Sequence, residues 1–252
     1  MSDDLVRLAV IEGLATVELN RPEASNALSL PLARQLETVV ERLAGPDVHA
    51  VLLTGAGKRF CAGGDVRSFV AAEDQSAFLE ELASTADRAL QRLAELDKPV
   101  VAAVQGAVAG AGLAVMLSCD VIVAAAGTKF VTAYAGIGLT PDCGLSWLLP
   151  RAVGQQRALE LLLTGRTLTA REACDWGLVT EVVDDAALPG RARELAAALT
   201  TGPWTALGQA RRLVRSSYAA SRAQTGADEA RTIAAAVRTE QAQRLIGAFV
   251  SR

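Results

Sequence analysis

Histidine is nearly missing from this sequence of 252 residues: His49 stands alone, just ahead of an apolar run. One imidazole does not make a typical zinc site with Cys61, Cys119, Cys143 and Cys174, which show no CxxC or other metal-ligand spacing. It also leaves no Ser-His-Asp set, and no GxSxG occurs, so serine-hydrolase chemistry is set aside. A structural, solvated role is expected for His49. Aromatic residues make up only 4% of the chain. No apolar run is long enough to span a bilayer; the nearest, Pro99 to Leu117, is interrupted by Gln105 and several glycines. The N-terminal stretch MSDDLVRLAV is acidic and does not read as a signal peptide. Neither sign of charge dominates, since 25 Lys and Arg stand against 28 Asp and Glu and the arginines are scattered. That argues against a nucleic-acid or membrane partner. The expectation is a cytoplasmic protein with free thiols and no metal.

What is present is a core-forming chain. Half of the residues are hydrophobic, mostly Ala, Val and Leu, enough for one α/β domain or a core with a helical appendage. Val6–Val10 and Leu14–Leu19 alternate and read as a hairpin turning at Glu12-Gly13. Pro31–Ala44 has helical spacing and stops at Gly45-Pro46. Val48–Leu53, Pro99–Val104, Val121–Ala125 and Leu178–Val183 read as strands. Residues 68–97 and Arg151–Leu163 are helical in pattern, and Gly106–Gly112 reads as a Gly/Ala loop before a buried helix, Leu113–Ser118. Thr169 is a cap for a short helix ending near Gly177. Everything after Asp184 is expected to be helical, with breaks near Gly190, Gly202-Pro203 and Gly226.

Three segments place glycine at apolar strand ends: Thr54–Val66, Val104–Asp120 and Phe130–Pro150. The first is not a P-loop, because no Gly lies five residues before Gly57 and Arg59 follows Lys58. The second is not a dinucleotide fingerprint, since Val115 stands where the third Gly belongs. Taken singly, each segment reads as a tight turn.

Taken in order, they resemble the crotonase superfamily, the enoyl-CoA hydratase/isomerase family, over essentially the whole chain. Leu19-Asn20-Arg21-Pro22 with Asn26-Ala27-Leu28, Phe60–Asp65, Lys98-Pro99-Val100 through Gly110-Ala111-Gly112 and Cys119-Asp120, and Leu163–Arg166 with Gly177-Leu178-Val179 carry the resemblance. It implies a crotonase-like α/β fold, a spiral of repeated ββα units over 1–190. A C-terminal helical region over 191–252 would pack subunits into a homotrimer, often paired as a hexamer. It implies an acyl-CoA thioester substrate, with coenzyme A part of the substrate and no separate cofactor. Two backbone N–H groups, of Gly64 and Ala111, would bind the thioester oxygen. Donors fixed in a dry site stabilise the charge that develops there when an enolate forms. Ala111 opens a helix, so its N–H is free and sits at the positive end of the helix dipole. Backbone near Ala24, Asn26, Leu28, Ala62, Asp65 and Val66 would line the coenzyme. Gly110, Tyr134 and Leu139 would complete the substrate- and coenzyme-binding set. Arg21 and Lys58 could meet phosphates or be surface charges.

The carboxylates decide the reaction. The family's hydratases hold water with two glutamates; Ala114 and Tyr134 stand at those positions. One acid remains nearby, Asp142, in the loop Gly138–Gly144. It is either the acid/base, improved by apolar surroundings, or an N-cap for the next helix. The pattern Pro141–Gly144 with Trp147–Arg151 resembles the branch of epoxyphenylacetyl-CoA isomerases. A 4-chlorobenzoyl-CoA dehalogenase likeness fails for want of a His in the helix before Lys98; the position there is Asp87. An isomerase that shifts a double bond or rearranges a ring is therefore expected. The alternatives are an enoyl-CoA hydratase of fatty-acid β-oxidation drawing on Glu73, Glu80, Glu81 or Asp87, and an inactive acyl-CoA-binding homologue.

Overall fold

Glu12 and Gly13, with φ of 50° and 82°, close a tight two-residue turn whose twist suits a hairpin. The computed structural model describes residues 4–251; Met1–Asp3 and Arg252, at the outer ends of the two expected regions, lie outside the described residues. The hairpin strands are β1 (Val6–Ile11) and β2 (Leu14–Leu19), paired with Val6 opposite Leu19. α1 (Leu30–Leu43), β3 (Ala50–Gly55), α2 (Val66–Val70), α3 (Gln75–Glu95) and β4 (Val100–Val104) follow. Next come β5 (Ala107–Ala109), α4 (Ala111–Leu117), β6 (Val121–Ala125) and β7 (Lys129–Val131). α5 (Leu145–Val153), α6 (Gln155–Thr164), β8 (Leu168–Thr169), α7 (Ala170–Asp175) and β9 (Glu181–Val183) complete the mixed part. Four helices end the chain: α8 (Leu188–Thr201), α9 (Trp204–Ser217), α10 (Arg222–Ala236) and α11 (Glu240–Val250).

The main sheet runs β1-β2-β3-β4-β6-β9, and every pair after the hairpin is parallel. Parallel strands must be covered on both faces, which is why β4 is buried along its whole length. One face packs against α1, whose Leu32, Leu36, Val39, Val40 and Leu43 are buried. The Ser29 side chain accepts the Leu32 N–H and starts that helix. The other face carries α8, with Leu188, Ala192 and Ala196 against Leu52, Val101, Ala103 and Val123. Residue 190, the expected edge of the C-terminal region, therefore falls inside a helix that belongs to the sheet's own core. A second, three-stranded sheet, β5-β7-β8, lies beyond β4, and α4 between the sheets is buried from Ala111 to Met116.

Several local expectations are corrected. The Gly106–Gly112 loop contains β5 and the first turn of α4; three residues are too few to show alternation. The helix expected over Arg151–Leu163 is two helices meeting at Gly154, φ 83°, the first starting back at Leu145. Gly190 and Gly226 lie within α8 and α10; of the expected breaks only Gly202-Pro203 interrupts the chain, and Ser221 starts α10 with a capping box to Gln224. His49 is half-buried and stacks on Trp204, ring centroids 4.2 Å apart, joining the first hairpin to α9.

Candidate active site

Two glycine segments interlock at the end of β3 and β4. Phe60 N–H donates to the Gln105 carbonyl, and Ala109 N–H donates to that of Cys61. The Gln105 side chain donates to the carbonyls of Gly55 and Gly57. On the other flank Leu28 N–H donates to the Gly63 carbonyl and the Leu28 carbonyl accepts from Asp65 N–H in return. Gly63 has φ 97°, and a Cβ there would sit 2.9 Å from the Ala109 carbonyl oxygen and 3.6 Å from the Ala111 nitrogen. Only glycine permits that approach. Gly64 is thereby laid beside the first turn of α4, where Gly110 is the N-cap and Ala111 the first helical residue. Among the described residues neither Gly64 N–H nor Ala111 N–H has an acceptor within the protein.

The residues expected to meet the coenzyme divide into two groups. Val66 and Leu139 are exposed, at 43% and 37%, and Ala24 and Ala62 are half-buried. Asn26 is instead wholly interior. Its Oδ1 accepts from Arg21 N–H at 2.8 Å, and its Nδ2 donates to the carbonyls of Ala56 and Arg59. Leu28 buries its side chain in the core and offers only backbone. The Asp65 side chain caps α2 and receives the Arg21 guanidinium at 2.6 Å and the Ser68 hydroxyl. Burial alone would raise the Asp65 carboxyl, but the bonds from Arg21 and Ser68 and the charge of Arg21 outweigh it and hold it low. Arg21 is thus occupied within the loop, whereas Lys58 is exposed with no partner among the described residues.

Tyr134 lies against Gly110, the N-cap of α4, and bonds to Asp142. Gly110 N–H donates to Val131 at the end of β7. Ala133 then turns through a left-handed φ of 62° and Tyr134 opens a short 3-10 turn. The Tyr134 ring packs toward Gly110, its Cζ 3.8 Å from where a Gly110 Cβ would lie. Its hydroxyl donates to Asp142 Oδ1 at 2.7 Å. Asp142 is half-buried rather than enclosed, and no cation pairs with it among the described residues. It is not the helix cap: Gly144, φ 73°, occupies the N-cap of α5, which has no side-chain cap bond. Ala114 is fully buried in the core and brings no acid. The structure therefore links Gly63, next to Gly64 in the chain, with Ala111, Gly110, Tyr134 and Asp142 through successive contacts, while Asn26, Leu28 and Asp65 hold the Gly63–Gly64 loop from behind.

Two further groups border Asp142. Cys143 is buried at φ 51°; burial, then the charges of Asp142 and Asp87, push its thiol far up, and burial raises that of Cys61 to about 12. Neither is a thiolate nucleophile at neutral pH. Asp87 of α3 is half-buried, with one oxygen held by Gln91 and the other 3.4 Å from the position of a Gly144 Cβ. It is a neighbour of the site rather than a solvated helix charge. Glu81, by contrast, is exposed and paired with Arg34. The Tyr134–Asp142 bond and the approach of Asp87 left no signal in the sequence. Asn26 could have been flagged as an Asn suited to a left-handed turn, its φ being 55°.

Residues 10–252 match the enoyl-CoA hydratase/isomerase family. The chain is 39% identical over 213 residues to the 1,2-epoxyphenylacetyl-CoA isomerase of Escherichia coli K12, covering 82% of this chain and 80% of that one. It is also 39% identical over 204 residues to a protein of Rhodobacter capsulatus named probable enoyl-CoA hydratase, covering 81% and 78%. The crystal structure of an enoyl-CoA hydratase from Mycobacterium smegmatis superposes with a TM-score of 0.92 at 29% identity, over 98% of this chain and 96% of that one. The architecture is thus crotonase-like.

Proposed function

The chain belongs to the enoyl-CoA hydratase/isomerase family, and from the groups gathered in its cleft we propose that it is an acyl-CoA isomerase working through a thioester enolate. The substrate is an acyl-CoA thioester whose carbonyl oxygen accepts from Gly64 and Ala111 N–H. Asp142 takes a proton from C2 of a 3-enoyl thioester; the electron pair delocalises onto the thioester oxygen and the vinylogous C4. Asp142 returns the proton at C4, which moves the double bond to the α,β position. A ring-rearranging variant uses the same enolate. The coenzyme A is carried by the substrate, and no further cofactor enters. Exposed Ile233, Val237, Leu245, Ile246, Phe249 and Val250 on the C-terminal helices support assembly as a homotrimer or a hexamer.

One observation carries this reading. The carboxylate bonded to the Tyr134 hydroxyl, whose ring lies against Gly110, is Asp142, while the hydratase positions hold a core alanine and a phenol already bonded to that acid. A lone base suits moving a proton between carbons better than positioning and splitting water. The test is incubation with 3-enoyl-CoA and 2-enoyl-CoA in deuterated water, for wild type and Asp142→Asn. Deuterium at C2 or C4 without a 3-hydroxy product, falling by roughly 10²–10⁴ in the variant, is expected. A 3-hydroxyacyl product that survives Asp142→Asn refutes the isomerase. Binding without any exchange would instead mark an inactive acyl-CoA-binding homologue.

A further inference from the structure

We propose that Tyr134 is a positioning residue: it fixes the Asp142 carboxylate against the oxyanion donors so that one oxygen is anchored and the other is left to carry the proton. This rests on the isomerase reading and gives Tyr134 a role beyond the substrate-binding one that the resemblance implies. Three observations converge. The Tyr134 hydroxyl donates to Asp142 Oδ1 at 2.7 Å. The same ring lies against Gly110, the residue before the Ala111 donor. Its backbone is pinned, with Tyr134 N–H donating to Thr132 and its carbonyl accepting from Ile137 and Leu139 N–H. Thr132 is tied in turn to α6 through the Leu161 carbonyl. One rigid aromatic plate therefore sets the spacing between donor and base.

The electrostatics agree. Burial first, then the negative charge of Asp142, drive Tyr134 ionisation far above the ordinary phenol range, so it remains a neutral donor wherever the enzyme works. The titratable groups facing the Asp142 carboxylate are the Tyr134 hydroxyl, the neighbouring Cys143 thiol, Asp87 from α3 and, behind Cys143, the buried Cys61 thiol. No arginine or lysine pairs with it among the described residues. Among the described residues the phenol is the one hydrogen-bond donor to it from another segment of the chain.

The experiment is the pH dependence of deuterium exchange, with kcat and KM measured separately, for wild type and Tyr134→Phe. A hydrogen-bond donor favours the charged form of the group it bonds, so removing the hydroxyl is expected to move the acid limb of the kcat profile up. A fall in kcat of roughly tenfold or more should accompany it, with KM within about twofold. Replacing Tyr134 with 3-fluorotyrosine, a stronger donor of nearly the same size, should move the limb the opposite way, and it serves if Tyr134→Phe does not fold. An unmoved acid limb in both variants overturns the positioning role alone. A raised KM at unchanged kcat also overturns it, as the mark of a simple substrate contact. Failure of the wild-type protein to exchange deuterium at all overturns the isomerase reading, and this role with it.

Discussion

Gly112→Ala should look favourable by helix propensity and yet impair the site. Alanine is about 1 kcal/mol better than glycine inside a helix, and Gly112 is the second residue of α4. A Cβ there, however, would lie 2.3 Å from the Cys61 carbonyl oxygen and 3.0 Å from the carbonyl carbon. Ordinary contact begins near 3.4 Å, so α4 and the Cys61 segment must part by about 1 Å. Those two segments carry the donors, Ala111 next to the substitution and Gly64 three residues beyond Cys61. A displacement of that size, or loss of one donor, is expected to lower kcat by roughly 10²–10³. Overpacking typically costs about 1–3 kcal/mol, which offsets the propensity gain and leaves the melting temperature lower by a few degrees. Deuterium exchange at saturating enoyl-CoA, read by NMR, measures the first quantity and a thermal melt the second. A variant that exchanges at the wild-type rate and melts higher would refute the claim that close approach of these backbones sets the donors.

Other outcomes follow from the same structure. Asn26→Asp keeps the shape but turns an amide donor toward the Ala56 and Arg59 carbonyls into an acceptor. Stability should fall by about 3 kcal/mol in denaturant titration, with KM for acyl-CoA nearly unchanged; a large rise in KM at full stability would return Asn26 to the ligand. The Glu172 carboxyl is held at about 2 by the Thr169 N–H, then the Thr169 hydroxyl and Arg166, against an ordinary value of 4.5. Its folded value lies below its unfolded one, so the stability it contributes is present above about 4.5 and is lost as pH falls toward about 2. Glu172→Gln should flatten the stability-versus-pH curve within that window and lower stability near neutrality, where the carboxylate's contribution is otherwise fully present.

The fold was legible where chemistry and periodicity coincide. Apolar β3, β4 and β6, the spaced leucines of α1 and the Thr169 capping box each state their structure locally. The donor segments were legible for a related reason: Gly63 and Gly110 sit at positive φ, where glycine is the default residue. The small sheet was not, because β5, β7 and β8 have three, three and two residues. Asp142 could be found but not assigned. An Asp shortly before a helix reads as a cap, and the decision between cap and base depended on Tyr134, eight positions away, with the left-handed residues Ala133 and Cys143 flanking that span. Neither is glycine, so nothing in the sequence announces those turns. Asp87 comes from a helix far earlier in the chain, and only tertiary folding brings it to Gly144.

The burial of α4 has a consequence for how the site would fail. Ala111 belongs to a helix enclosed by core residues on nearly every side, so its N–H shares the fate of the most protected part of the molecule. Asp142 belongs to a half-buried loop tethered by one phenol, a segment of a kind that opens locally at much lower free energy. The two halves of the site are thus expected to differ in local stability. Under mild heat or denaturant the base should be released while the donors still hold, leaving a folded protein that grips a thioester carbonyl and transfers no proton.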